Sequence, residues 1–221
     1  MYLTRMALNP SRRGTRHLLG SPQRMHAAVM SAFPPAAEPG RVLWRVDRPA
    51  GHRLTLYVVS AAKPDLTGVV EQAGWPTAAA WDTTTYDPFL SRLDAGQAWR
   101  FRLTANPVQS KAGQRGTRGK VLAHVTAAQQ EQWLRDHAGR WGFTLPDASE
   151  GGGVLVTGRG ADVFDRRDPD GDARRRVTIT RAQFDGVLTV TDPDALRAAL
   201  VGGMGRAKAY GCGLMTLAAA R

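Results

Sequence analysis

One helix is bracketed so tightly that the rest of the chain has to be fitted around it. Ser21 can cap its start, Pro22 suits the first helical position, and Pro34-Pro35 ends the run. Between these signals Met25, Ala28, Val29, Ala32 and Phe33 fall at i, i+3, i+4, i+7 and i+8, which is one apolar stripe. A helix with a single stripe packs on a sheet, and the neighbouring residues supply one. Residues 2–8 read as a strand, and residues 42–46 and 54–60 as a hairpin whose turn holds Pro49 and Gly51. Residues 65–73 form a weak helix and residues 81–89 a further strand. The order is β-α-β-β-α-β, which is ferredoxin-like. Arg12, Arg13 and Arg16 lie between the first strand and the helix and read as a basic linker.

The second half repeats the plan with insertions. In residues 99–104, Trp99, Phe101 and Leu103 alternate with Arg100, Arg102 and Thr104, the pattern of a half-buried strand. A basic, glycine-rich loop follows, in which Lys111, Arg115, Arg118 and Lys120 stand without any acidic neighbour. It is either a disordered hairpin tip or an arm that tracks a phosphate backbone. Residues 126–141 form a helix carrying Trp133, Leu134, His137 and Trp141. Residues 154–156, a charged tip at 166–176, residues 177–179 and residues 187–190 read as a long hairpin and a neighbouring strand. Asp192-Pro193 opens a helix through Leu200, and residues 214–217 read as the last strand. The expected fold class is α+β, with two tandem ferredoxin-like (RRM-like) domains at residues 1–93 and 94–221.

Charge narrows the partner. Lys and Arg outnumber Asp and Glu by 30 to 19, a formal +11, and such a field attracts nucleic acid or an anionic surface. Neither a long apolar span nor a signal peptide is found, so the expected location is cytoplasmic, with no membrane partner. The lone Cys212 forbids an internal disulfide and a Cys-based zinc site, and the five histidines lack metal-ligand spacing, so no metal and no cofactor are expected. Low aromatic content and the lack of an RNP-type run argue against an RRM-style single-strand binder.

Two places could carry chemistry. Between Gly202 and Gly213, five glycines are threaded with Arg206 and Lys208. Gly203, Gly205, Gly211 and Gly213 could let amides approach a phosphate, or the segment could simply be a turn before the last strand. On the first helix, Gln23, His26 and Met30 run beside the buried stripe, which puts His26 at the border of core and solvent. A histidine there can move a proton at neutral pH, and RNA offers a matching reaction, attack of a ribose 2′-OH on its own 3′ phosphate. The competing role for His26 is structural. In residues 159–176 the arginines, Arg159 among them, are interleaved with aspartates, so that stretch is either a binding element or a solvated charge run.

Four separated motifs then occur in order. They are His26 followed by Phe33-Pro34, the run Arg102-Leu103-Thr104-Ala105-Asn106-Pro107, the run from Phe184 to Val190, and Gly205 to Leu214. Together they resemble the CasE family, the CRISPR RNA endoribonucleases of the subtype I-E system. The resemblance implies metal-independent cleavage of the repeat stem-loop of CRISPR precursor RNA and retention of the product with other subunits of the Cascade surveillance complex. It places His26 on the family's catalytic histidine. Relatives often carry a tyrosine three residues earlier, where this chain has Gln23, whose amide does not titrate. Arg24, Arg16 or Lys208 could take that tyrosine's role, or the position only orients the site. A second possibility is a non-catalytic RNA-hairpin-binding subunit of a ribonucleoprotein complex.

Overall fold

Strand β1 (Tyr2–Leu8) buries Thr4, Met6 and Leu8 and exposes Arg5 and Ala7, the period of two that a strand covered on one face requires. The computed structural model describes residues 1–48, 54–76, 81–111, 120–146, 153–167 and 174–220. β1 lies inside an antiparallel sheet of order β2-β3-β1-β4, with β2 (Leu43–Asp47), β3 (Leu54–Ser60) and β4 (Asp82–Thr85). The bracketed helix is α2 (Pro22–Met30), and its Met25 and Val29 are buried in one cluster with Met6, Leu56 and Val58. Helix α3 (Thr67–Ala73) adds Val69 and Ala73 to that cluster.

Two local expectations are corrected. Residues 12–16 are not a linker, because Arg13–Leu19 forms a helix, α1. Thr15 and Leu18 give it a buried side despite the cations around them, and the Thr15 hydroxyl donates to the Ala73 carbonyl. Gly14 is what allows the approach to α3: a Cβ there would stand 2.1 Å from the Gln72 carbonyl oxygen. The strand expected over 81–89 stops at Thr85, and Asp87–Leu90 turns into a short helix, α4, with Pro88 in its first turn.

The second sheet has order β11-β5-β10-β8, with β9 paired to β10. Its strands are β5 (Ala98–Ala105), β8 (Phe143–Thr144), β9 (Leu155–Arg167), β10 (Arg174–Val190) and β11 (Met215–Ala219). A two-stranded ribbon, β6 (Val108–Lys111) and β7 (Lys120–Ala123), bounds the basic loop, whose residues Arg115 and Arg118 lie outside the described residues. Helix α5 (Ala127–Ala138) starts at a capping box between Thr126 and Gln129 and continues into a 3-10 turn at Gly139–Trp141. Helix α6 (Pro193–Gly202) is capped by Asp192 as expected. With the ribbon and β9 set aside, the order β-α-β-β-α-β recurs. In both sheets the first and third strands of the unit are central, so the structure is two tandem ferredoxin-like units. The segments expected as separate strands at 177–179 and 187–190 are one strand, β10. Gly186 interrupts the apolar pattern, but it lies where an added Cβ would meet the Phe101 ring at 3.2 Å.

The two units share a core. Leu43, Val59, Tyr86 and Leu90 from the first are buried in the same cluster as Phe101, Leu103, Phe184 and Leu214 from the second. Among the described residues no helix is long and apolar enough to cross a membrane.

Candidate functional site

His26 is half-buried on α2, where Met25 and Val29 anchor the helix to the sheet. Its Nδ1 is buried and has no hydrogen-bond partner among the described residues, so no protein group fixes the tautomer. Burial holds the imidazole below its usual pKa of 6.5, which leaves it neutral at pH 7. A neutral imidazole accepts a proton from a hydroxyl.

The helix that carries His26 closes one end of an arginine-lined cleft between the units. Arg48 from the first unit and Arg159 and Arg181 from the second line an opening of about 330 Å³, together with Thr104, Thr157 and Gln183. A small inner cavity of about 40 Å³ shares Arg48, Thr104 and Arg181 with that opening and ends on Pro22 and Met25 of α2 and on Trp44. Asp162, also on the inner wall, is held by the Arg181 guanidinium, whose Nη2 donates to Oδ1 at 2.9 Å. Burial pushes the Asp162 carboxyl up, while Arg181 and Arg48 pull it down. Arg159 donates to the Val125 carbonyl.

The glycine-rich segment lies against α2 through a 3-10 turn at Lys208–Tyr210. Gly203, Gly205, Gly211 and Gly213 have φ of 79°, 76°, 79° and 90°, a region open to glycine and strained for other residues. Each is also tightly packed: an added Cβ would stand 2.6 Å from Leu43 at Gly203, 3.2 Å from Trp133 at Gly205, 2.7 Å from Trp44 at Gly211 and 2.8 Å from the Met204 carbonyl at Gly213. The Gly213 amide donates to the Thr104 carbonyl at 2.7 Å. The segment is therefore a packed wedge between the units. Arg206 on it is exposed, whereas the Lys208 ammonium donates to the Gly202 carbonyl at 2.7 Å. Burial, then the charges of Arg41 and Arg140, lower the Lys208 pKa.

The other expected cations divide into those already bonded and those left exposed. Arg12 donates to the carbonyls of Val70, Glu71 and Gly74, which caps the C-terminus of α3. Arg16 donates to the Ser11 carbonyl, and Arg24 to the His17 carbonyl, with its Nη1 also 3.2 Å from the His17 ring. Arg13, Lys111 and Lys120 are exposed. Lys111 and Lys120 face each other across the ribbon at the base of the basic loop.

One group of charges had no visible signal in the sequence. Arg45 is 1% exposed and grips both carboxylate oxygens of Asp47, at 2.6 and 3.0 Å. It also reaches the carbonyls of Arg102 and Leu214 and the hydroxyl of Thr216. Arg102 continues the chain of charges to Asp185 at 2.6 Å. Burial raises the Asp185 pKa, but hydrogen bonds from Arg102, Thr157 and Gln183 outweigh it and leave the carboxyl below its usual range. An arginine in a strand reads as a solvent-facing position, so only the second sheet reveals its role.

Two ferredoxin-like units wedged together by a glycine-rich segment, with a half-buried histidine on the helix whose Pro22 and Met25 line the inner end of an arginine-lined cleft, define a CRISPR associated protein. The chain belongs to that family, which it matches over residues 1–219. It is 33% identical over 224 residues to the CRISPR-associated endoribonuclease Cse3 of Thermus thermophilus, covering 99% of this chain and all of that protein. A structure of Cse3 bound to a 19-nucleotide RNA superposes with a TM-score of 0.80 at 31% identity, covering 99% of this chain and 100% of the other. A Thermus thermophilus Cse3 structure with RNA representing a pre-cleavage complex gives a TM-score of 0.77 at 29% identity, covering 98% of each chain.

Proposed function

We propose that this protein is a metal-independent endoribonuclease that binds the repeat stem-loop of CRISPR precursor RNA and cleaves it by internal transesterification. The observation that carries the proposal is the half-buried imidazole of His26, whose Nδ1 has no partner among the described residues, on the helix that closes the inner end of the arginine-lined cleft. His26 takes the proton from the 2′-OH. The 2′-oxygen then attacks the adjacent phosphorus, and the bond to the 5′-oxygen breaks. That oxygen takes a proton from a second group or from water, and the products are a 2′,3′-cyclic phosphate and a 5′-hydroxyl. Charge on the phosphoryl oxygens is met by guanidinium groups. The Gln23 amide does not titrate, and Lys208 donates inward to Gly202, which leaves Arg24, on α2 itself, and Arg16, on α1, as the candidates for the second group.

Arg13, Lys111, Lys120, Arg159 and Arg206 are the exposed cations assigned to the RNA phosphates. The domains divide at residues 93 and 94, between the last strand of the first sheet and the first of the second. The product stays bound, and the protein acts with other subunits of the Cascade surveillance complex in the cytoplasm.

The test is cleavage of a labelled repeat hairpin in EDTA, comparing the intact protein with His26→Ala. The expected outcome is cutting with a cyclic phosphate end, lost in the variant while binding persists. Tight binding without cutting by the intact protein would instead make it a non-catalytic hairpin-binding subunit.

A further inference from the structure

A second cleft, outside the one beside α2, has the construction of a nucleobase site. It has a volume of about 470 Å³ and lies between the ribbon, α5 and the glycine-rich segment. Arg206 and Arg140 are exposed on its walls, and no carboxylate among the described residues pairs with either. Its one acid, Asp136, accepts from Gln132 at 2.7 Å. Its aromatic wall is His137, whose ring lies 4.9 Å from that of Trp133 and 5.4 Å from that of Trp141. The His137 Nδ1 donates to the Trp133 carbonyl at 2.7 Å, which fixes the ring in place. Asn106, between β5 and β6, also lines the cleft, and its Oδ1 is buried without a partner among the described residues. A buried acceptor left unpaired is costly, and its presence beside an open, cationic, aromatic-walled cleft marks a place for a donor.

We propose that this cleft binds one unpaired adenosine of the RNA. Bases inside an A-form stem are closed to side chains, so a base entering a cleft must be unpaired and splayed out. His137 is the surface on which it stacks, and Arg140 and Arg206 hold the flanking phosphates. The Asn106 carboxamide presents an acceptor and a donor side by side, the pair that matches adenine N6 and N7. The cleft is tied to the α2 site through the glycine-rich segment, because Gly205 and Arg206 form its wall and the turn at Lys208–Tyr210 lies against α2. This inference rests on the RNA-binding reading above and adds a sequence-reading subsite to it.

The test uses the full chain and its repeat hairpin, with each unpaired adenosine replaced in turn by purine riboside, which keeps N7 and lacks the 6-amino group. At one position the replacement is expected to weaken binding roughly tenfold. Asn106→Ala is expected to cause a similar loss on the unmodified RNA and no further loss on that modified one. Arg140→Gln, at an exposed position that does not disturb folding, is expected to weaken binding to every RNA and to flatten the salt dependence by about one phosphate contact. Normal binding by the intact chain with no purine-sensitive position, or an Asn106→Ala loss equal on every RNA, overturns the adenosine site alone. Failure of the intact chain to bind any hairpin overturns the RNA reading and this site with it.

Discussion

The guanidinium of Arg45, in the first sheet, donates at 2.9 Å to the main-chain carbonyl of Leu214, just before the last strand of the second. The same side chain holds Asp47 and the Arg102 carbonyl, so one buried arginine fastens both units and the end of the glycine-rich segment. Removing it leaves buried acceptors without a donor and Asp47 with only the Arg102 guanidinium, 3.6 Å away. Arg45→Leu is therefore expected to destabilise the protein by about 3–5 kcal/mol. The exposed pair of Arg5 with Asp82 serves as control, and Arg5→Leu is expected to cost less than about 1 kcal/mol. Urea unfolding of the two variants checks this, and equal midpoints would sink the pinning role of Arg45.

His26 sets the direction of a pH effect. Its folded pKa lies below 6.5 because of burial, so between the two values the unfolded chain binds a proton that the folded chain does not. This adds no penalty above about pH 6.5 and destabilises the fold progressively as pH falls below it. The same shift keeps the base neutral into mildly acidic solution. The acid limb of kcat/KM, which reports the protein free of RNA, is expected to have its midpoint below 6.5. A midpoint at or above that value rules out the neutral His26 as the base.

How much of this was legible in the sequence follows from which forces leave a local pattern. The stripe from Met25 to Phe33 and the cap-plus-proline signals at Ser21-Pro22 and Asp192-Pro193 are local, and they located α2 and α6, although the Ser21 side chain makes no capping hydrogen bond. Two repeats of β-α-β-β-α-β order followed from strand and helix periods alone. Helix α1 was hidden because Arg12 precedes it and Arg13 and Arg16 stand in its first turns, while only Thr15 and Leu18 are buried. The continuity of β10 was hidden by Gly186, whose role is to make room for Phe101. The place of His26 at the border of core and solvent was visible from its spacing beside the stripe. Arg45, Asn106 and the cleft around His137 depend on residues far apart in the chain, and no spacing rule brings them together.

Arg12 and Arg206 carry the same charge and are expected to fail differently. Arg12 donates to three carbonyls at the end of α3, so Arg12→Ala is expected to lower stability by about 1–3 kcal/mol while leaving the salt dependence of RNA binding unchanged. Arg206 is exposed, so Arg206→Ala is expected to leave thermal unfolding unchanged and to reduce the slope of log affinity against log salt by about one. Melting curves and binding isotherms at several salt concentrations separate the two. A reduced salt slope for Arg12→Ala would show that its guanidinium leaves α3 to reach RNA.

Gly211 is the sharpest test of the wedge. At φ 79° a side chain is strained, and its Cβ would stand 2.7 Å from the Trp44 ring, which is itself buried in the first unit. Either the ring or the turn at Lys208–Tyr210 must move, and that turn lies against α2. The strain of a left-handed alanine is about 1 kcal/mol, and overpacking adds roughly 1–3 kcal/mol. Gly211→Ala is thus expected to lower stability by about 2–4 kcal/mol and to slow cleavage at saturating RNA, because the geometry beside His26 shifts. Gly68, on α3, has no neighbour within 4 Å of an added Cβ, so Gly68→Ala is expected neither to destabilise the protein nor to slow cleavage. If Gly211→Ala melts like the intact protein, the segment is not a packed wedge. If it melts early yet cleaves at the normal rate once folded, the wedge holds the units together without positioning the site.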